Sequence, residues 1–256
     1  MLFGVCTSYE NAEFIKNCGY DYIELSLAAT AQMSNEEFEN CKKTLEKADI
    51  KAKAFNCFFP ATIKLNGPTF NLEEIKSYAE KALERASILG AETIVLGSGG
   101  SRYIAEGLNT DDCEEQFVLA LKALGEIAEK YGITIVIEPL NKGETNFINS
   151  VSHAVELARK VNAENVKSLV DFFHFSLENE PDSHITDTCS DIAHVHLARG
   201  STDRGVPNAK DIDDLNKWAG ILKQIGYDNK LSIEANAKDF KTEIKEVRNL
   251  LNVFQN

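Results

Sequence analysis

The sequence alternates repeatedly between short β-rich runs and stretches with helical periodicity, and this alternation restricts the folds that the chain can adopt. The predicted strands begin near Leu2, Tyr22, Lys51, Thr93, Ile133, Val166, Ala193 and Leu231. Between them, apolar residues recur at the i, i+3, i+4 spacing of an amphipathic helix. Strands that alternate with helices form a parallel sheet, and eight such units predict an α/β fold closed as a (β/α)8 TIM barrel. The chain has 256 residues, and one such barrel needs roughly 250.

The predicted helices carry start and stop signals where a βα repeat needs them. Ser34 and Ser150 precede helical stretches and suit the N-cap position. Glycine follows the predicted helix ends at Gly19, Gly90, Gly132 and Gly226. The sixth unit is the weakest, because residues 185–192 allow only a short helix. No linker, low-complexity tract or change of composition divides the sequence, so residues 1–256 are predicted to form a single TIM-barrel domain.

The charge and cysteine content narrow the classes of function and location. Asp and Glu outnumber Lys and Arg by 40 to 27, which opposes binding to nucleic acid or to an anionic membrane surface. The six cysteines form no CxxC pair and resemble no disulfide framework or zinc knuckle, so we expect reduced thiols and a cytoplasmic location. No run approaches the ~18 apolar residues of a membrane-spanning helix, and the N-terminus lacks the pattern of a signal peptide.

Ionisable groups close four of the later predicted strands, each after a short apolar run: Glu138, Asp171, His196 and Glu234. A charged group at the end of a buried strand is costly unless something compensates it. In a TIM barrel the working residues lie at the C-terminal strand ends, so these groups are expected to meet at one mouth. Three carboxylates and an imidazole predict one divalent ion. These ligands suit Mn²⁺, Mg²⁺ or Co²⁺ and do not exclude Zn²⁺.

Short motifs around these residues resemble a known group of enzymes. The strongest are Glu138-Pro-Leu-Asn-Lys-Gly-Glu144-Thr-Asn, Asp171-Phe-Phe-His174, His194-Val-His196-Leu-Ala and Ser232-Ile-Glu234-Ala. The supporting ones are Phe55-Asn-Cys-Phe-Phe-Pro60 and Leu96-Gly-Ser-Gly-Gly-Ser-Arg102. In this order and at barrel spacing, they resemble the sugar phosphate isomerase/epimerase superfamily. These are xylose isomerase-like TIM barrels that include ketose 3-epimerases and hydroxypyruvate isomerases. The resemblance covers most of the chain and is specific for the superfamily, not for one substrate.

The resemblance implies a metal-dependent isomerase or epimerase of carbohydrate metabolism, acting on a ketose-type sugar or sugar phosphate by proton transfer through an enediolate. Its metal ligands would be Glu138, Asp171, His196 and Glu234. Two of them, Glu138 and Glu234, would also exchange protons with the substrate as catalytic acid and base. Barrels of this group commonly pair, so a homo-oligomer is compatible with the sequence.

The substrate contacts are also inferred from this resemblance. The predicted contacts are Asn56, Arg102, Glu144, His174 and Arg204. Arg102 is expected at the rim of the pocket. Relatives usually carry an arginine soon after the histidine of strand seven, followed by a Pro-Gly turn. Here the loop is longer and Asn208 stands in place of the glycine, so both Arg199 and Arg204 are candidates for that arginine.

Three polar residues have open interpretations at this stage. His194 shares a strand face with His196 but lies farther from the strand end, so it is expected to form a hydrogen bond deeper in the barrel. Glu24, on the second strand, either lines the pocket or has a structural use inside the barrel. His174 is either a substrate contact or a loop histidine stacked among phenylalanines.

Two other activities compete with isomerisation or epimerisation. A keto-polyol dehydratase on the same scaffold would begin with the same deprotonation and then expel a hydroxyl group. An apurinic endonuclease-like DNA repair enzyme shares the fold but needs further histidine and aspartate ligands for a multi-zinc site. Strands three and four end in Asn56 and Gly97-Ser98 without histidine, and the acidic charge also opposes that reading. The sequence names neither the sugar nor its phosphorylation state.

Overall fold

The computed structural model describes residues 1–255, and within that range eight parallel strands form a closed barrel in chain order, β8 pairing with β1. The strands are β1 (Leu2–Cys6), β2 (Tyr22–Ser26), β3 (Ala52–Asn56), β4 (Thr93–Leu96), β5 (Thr134–Ile137), β6 (Val166–Asp171), β7 (Ile192–Leu197) and β8 (Lys230–Ile233). Each begins within one residue of its predicted start, and the predicted TIM-barrel fold is confirmed.

Helices connect the strands and surround the barrel. They are α1 (Ala12–Asn17), α2 (Leu27–Gln32), α3 (Asn35–Ala48), α4 (Leu72–Leu89), α5 (Gly99–Arg102), α6 (Thr110–Glu129), α7 (Val151–Val161), α8 (Phe172–Leu177), α9 (Ser183–Thr186), α10 (Ile212–Gln224) and α11 (Phe240–Leu250). The sixth unit is short, as predicted: α8 follows β6 directly, and α9 has four residues. Among residues 1–255, no helix combines the length and apolar character that crossing a bilayer requires.

The predicted helix ends are confirmed in their geometry. Ser34 forms a capping box with Glu37, in which each side chain accepts a hydrogen bond from the main-chain N–H of the other residue. Ser150 Oγ accepts from the main chain of His153 at 3.2 Å. Gly90 ends α4 at φ 100°, a left-handed conformation that glycine adopts without a steric penalty. These caps fix where α3 and α7 begin and where α4 ends.

The interior of the barrel is polar on the side of β1, β2, β7 and β8. Tyr22 Oη lies 2.6 Å from Ser232 Oγ, and Ser232 Oγ donates to Glu24 Oε2 at 2.5 Å. Since β2 and β8 are not neighbours in the sheet, these contacts cross the inside of the barrel. Opposite them, Val95, Val136 and Leu169 form a small apolar cluster. A hydrogen-bonded ladder therefore runs up the inside towards the mouth.

Gly4 leaves the room that the Tyr22 ring occupies in this ladder. A Cβ at residue 4 would lie 2.3 Å from the Tyr22 ring, so Gly4→Ala should force a shift and lower the free energy of unfolding by about 1–3 kcal/mol. Gly220, exposed in α10 with nothing within 4 Å of its virtual Cβ, is the matched control. Gly220→Ala should raise the free energy of unfolding by about 0.5–1 kcal/mol. Urea denaturation measures both, and equal effects would contradict the packing.

Candidate active site

The strand ends bring the four predicted ligand residues together at one mouth of the barrel. Glu138 follows β5, Asp171 ends β6, His196 lies near the end of β7, and Glu234 follows β8. Each offers one ligand atom, and these atoms all lie within 4.8 Å of one another. Glu138, Asp171 and His196 are buried, and Glu234 is partly exposed. The convergence predicted from the barrel rule is present, while metal ligation itself stays a prediction.

His196 connects this cluster to the interior of the barrel. Its Nδ1 lies 2.9 Å from Glu234 Oε2 and 3.3 Å from Glu138 Oε1, and its Nε2 lies 2.9 Å from Glu24 Oε1. The other Glu24 oxygen lies 2.9 Å from His194 Nε2, in the deeper position predicted for that histidine. The Glu24 side chain is fully buried and has no exposure to the mouth. Glu24 therefore has the structural role, in which it orients the His196 ring.

The charges around His196 change its affinity for a proton. Burial lowers the pKa of His196, but the carboxylates of Glu234 and Glu24 outweigh burial and raise it well above its usual range. Burial also raises the pKa of Glu24, yet His196 and His194 hold that pKa well below its ordinary value. The Nδ1 side of His196 is thus an environment that stabilises positive charge.

Glu138 and Glu234 differ in proton affinity although both are carboxylates beside one imidazole. Burial, together with the negative charge of Glu234, raises the pKa of Glu138. Burial would raise the pKa of Glu234 as well, but His196 and Arg204 more than offset it and the pKa falls below its ordinary value. Paired groups whose environments push their pKa values apart are suited to acid and base roles.

Gly97, just after β4, allows the Glu138 carboxylate to take its position. A Cβ at residue 97 would lie 2.1 Å from Glu138 Oε2, so any other residue would displace the carboxylate. The close approach of Glu138 is a contact that only the fold reveals, because it joins residues that directly follow two neighbouring strands.

Arg102 does not lie at the pocket rim, and that expectation was wrong. Its side chain is fully buried, since the short α5 helix directs it inward beneath the strand end that carries Glu138. Its Nη2 donates to the main-chain oxygen of Glu138 at 2.6 Å, while its Nε and Nη1 have no partner within residues 1–255. Burial lowers the pKa of the guanidinium to about 10. Arg102 therefore supports Glu138 from behind.

The two arginines after β7 take different places. Arg204 reaches the cluster, where its Nη2 lies 2.8 Å from Asp171 Oδ2 and 2.5 Å from Glu234 Oε2. Arg199 faces a separate groove and pairs with Asp203 at 2.9 Å and with Asp211 at 3.3 Å. The geometry selects Arg204 as the arginine at the mouth, and its contact with substrate stays a prediction.

His174 is buried beside the cluster, and only one of its ring nitrogens is hydrogen-bonded within the described chain. Its Nδ1 accepts a hydrogen bond from the Asn141 main-chain N–H at 3.2 Å, which leaves the proton on Nε2 in the neutral ring. Nε2 is buried without a hydrogen-bond partner in the described chain and lies 3.6 Å from Asp171 Oδ2. Asn141 Nδ2 also donates to Glu144 Oε1 at 3.0 Å. Asn141, which was not among the predicted site residues, thus connects two predicted substrate contacts.

A cavity of about 230 Å³ opens above the cluster. Its lining includes Asn56, Phe59, Gly97, Ser98, Glu138, Glu144, Arg204 and Glu234. Asn56 Nδ2 donates to Glu234 Oε1 at 2.7 Å, so Asn56 lies at the cavity, and its contact with substrate stays a prediction. The volume is below that of pockets for drug-sized ligands, and the polar lining suits a small molecule rich in hydroxyl groups.

Comparison with known proteins places the chain in one family. The model of the family described as xylose isomerase-like TIM barrel matches residues 12–255. An inosose isomerase from Halalkalibacterium halodurans is 23% identical over 91% of this chain and 86% of its own length. An L-ribulose 3-epimerase from Methylomonas sp. is 25% identical over 93% of this chain and 81% of its own length.

Solved structures show the same fold. A D-psicose 3-epimerase crystallised in the presence of D-fructose superposes with a TM-score of 0.84 at 18% identity, and all of both chains is covered. The IolI protein, whose crystal structure has a bound zinc atom, superposes with a TM-score of 0.78 at 20% identity. That alignment covers 100% of this chain and 98% of the IolI chain.

Glu24 offers a test of how the interior ladder supports the mouth. Glu24→Gln should weaken binding of a divalent ion by ~10–100-fold, the usual effect of losing the carboxylate that orients a ligating histidine. Glu180→Gln is the matched control, because the Glu180 side chain is also buried and pairs with a histidine, His184 at 2.8 Å, yet neither residue belongs to the ligand cluster. Titration calorimetry with Mn²⁺ measures both variants. Unchanged affinity in Glu24→Gln would contradict this role.

Proposed function

The protein is an isomerase of the xylose isomerase-like TIM barrel family, and we propose that it isomerises or epimerises a ketose-type sugar by metal-dependent proton transfer. The observation that carries the proposal is the convergence of Glu138 and Glu234, two carboxylates of different proton affinity, on one imidazole beneath a small polar cavity. Relatives named as sugar epimerases and isomerases support the same class of reaction.

The donor set at the mouth fits a divalent ion. Opposite ligands of an octahedral ion lie about 4.2 Å apart, given bonds of about 2.1 Å. The four ligand atoms here lie within 4.8 Å of one another, so they could share one ion after small shifts. Glu138, Asp171 and Glu234 would supply oxygen and His196 Nδ1 nitrogen. Such a set suits Mn²⁺, Mg²⁺ or Co²⁺, and Zn²⁺ is also compatible. When bound, the ion would act as a Lewis acid that polarises a carbonyl group.

The two glutamates would move the proton. A C–H group next to a carbonyl is weakly acidic, and a nearby carboxylate can remove its proton. If Glu138 and Glu234 face opposite sides of the substrate, one removes the proton and the other returns a proton to the same carbon from the other side. That sequence inverts the carbon and gives an epimer. Return of the proton to the adjacent carbon gives the isomer instead.

The other polar groups would hold the sugar and its oxygen-bound protons. His174 would donate from Nε2 to a substrate oxygen, since Asn141 fixes its tautomer through Nδ1. Glu144, held by Asn141 at the edge of the cavity, would bind a hydroxyl group. Asn56 would position Glu234, and Asn56 and Arg204 would offer donors in the cavity for further hydroxyl oxygens. Arg102 would keep the backbone of Glu138 in place from below.

Proton transfer through solvent-exchangeable carboxylates predicts a solvent isotope signature. Free and phosphorylated ketoses are incubated in D2O with Mn²⁺, Mg²⁺, Co²⁺ or Zn²⁺. The product should carry deuterium at the carbon next to the carbonyl. Glu234→Gln should lose at least ~100-fold in turnover, because glutamine cannot accept the proton. Nuclear magnetic resonance locates the deuterium and measures the rate.

Glu84→Gln, at an exposed position of α4, is the control and should retain wild-type turnover. A product without solvent deuterium, formed at an undiminished rate by Glu234→Gln, would contradict the two-glutamate mechanism. A product lighter by one water molecule would assign the protein to the lyases.

A further inference from the structure

Arg204 lies where the ligand carboxylates converge. Its Nη2 is 2.8 Å from Asp171 Oδ2 and 2.5 Å from Glu234 Oε2, and both carboxylates belong to the proposed metal ligands. Its Nε donates to the main-chain oxygen of Glu234 at 3.3 Å, and its guanidinium carbon lies 4.9 Å from the centre of the Phe173 ring. The guanidinium is therefore held by two carboxylates, a carbonyl group and an aromatic face.

The backbone at Arg204 is held in an unfavourable conformation to present this side chain. Arg204 has φ of 47°, in the left-handed region that costs free energy for a residue other than glycine. The Arg204 carbonyl oxygen accepts from Asn236 N at 2.8 Å, and Gly205 O accepts from Arg199 N at 2.8 Å. The first bond fastens the loop to the segment after β8, and the second closes the loop on itself. The strain is therefore offset by contacts that fix Arg204 at the mouth.

A metal ion bound to Glu234 Oε2 would have Arg204 as a close neighbour. A divalent ion bonds to oxygen at about 2.1 Å and Arg204 Nη2 lies 2.5 Å from the same oxygen, so the two cations could be at most about 4.6 Å apart. Two positive charges at that separation repel, and the repulsion is stronger than in water because the Arg204 and Glu234 side chains are mostly buried. Arg204 and the ion also compensate the same negative charge, that of Asp171 and Glu234.

We propose that Arg204 is the counter-cation of the metal-free centre, and that a divalent ion displaces its guanidinium from Asp171 and Glu234 in order to bind. The inference rests on the metal centre of the proposed function. It adds that the Arg204 guanidinium and the ion compete for the same two carboxylates. Arg204 also lines the cavity above the cluster, so a displaced guanidinium becomes available to a sugar oxygen there. Binding is then ordered, with the metal ion first and the sugar second.

Metal affinity of arginine variants tests the competition directly. Chelator-treated protein is titrated with Mn²⁺ by calorimetry. Arg204→Met removes the competing charge while keeping an unbranched side chain against Phe173, and it should bind Mn²⁺ at least ~10-fold more tightly than wild type. Arg204→Lys keeps a competing charge and should stay closer to wild type. Arg199→Met removes an arginine paired outside the cluster and should leave the affinity unchanged.

Thermal unfolding separates competition from a purely structural role. In chelator, Arg204→Met should unfold at a lower temperature than wild type, because the carboxylates lose their counter-cation. Added Mn²⁺ should then stabilise this variant more than it stabilises wild type. The inference would be overturned if Arg204→Met bound Mn²⁺ no more tightly than wild type and were destabilised relative to wild type equally in chelator and in Mn²⁺. That result would leave the proposed function standing. A wild-type protein that binds no divalent ion would overturn the metal centre as well.

Discussion

The bonds of His196 to carboxylates on both sides are the interaction on which the site depends. Its Nε2 faces Glu24 inside the barrel and its Nδ1 faces Glu138 and Glu234 at the mouth. Burying several carboxylates is unfavourable unless they are paired and hydrogen-bonded. Here the imidazole and the Arg204 guanidinium supply that pairing. The negative charge of the carboxylates at the mouth is therefore balanced by these two groups.

The N-terminal end of the barrel contributes to stability, and the C-terminal end carries the proposed chemistry. At the N-terminal end of β8, Lys230 pairs with Glu92 at 3.1 Å, and Glu92 also pairs with Lys53 at 2.9 Å. Four residues further on, the same strand delivers Glu234 to the mouth. Ion pairs at the bottom of a TIM barrel serve stability, whereas the C-terminal ends carry function. One short strand therefore contributes to both.

The sequence predicted the convergence of the ligand residues but not the contacts that support them. Strand ends meet at one mouth in any closed barrel, so placing Glu138 or His196 needs no knowledge of side-chain conformation. The bridging position of Glu24 depends on distances across the barrel between residues 170 or more positions apart. The inward turn of Arg102 depends on the geometry of a helix of four residues. Such details follow from packing, which local pattern does not encode.

Diffraction from crystals grown with Mn²⁺, measured at the manganese absorption edge, would locate the ion. We expect one strong anomalous peak per chain at bonding distance from oxygen atoms of Glu138, Asp171 and Glu234 and from His196 Nδ1. His196 Nε2 should remain hydrogen-bonded to Glu24. A peak at any other cluster, or no peak at the mouth in protein that turns over its sugar, would contradict the claim that these strand ends form a metal centre.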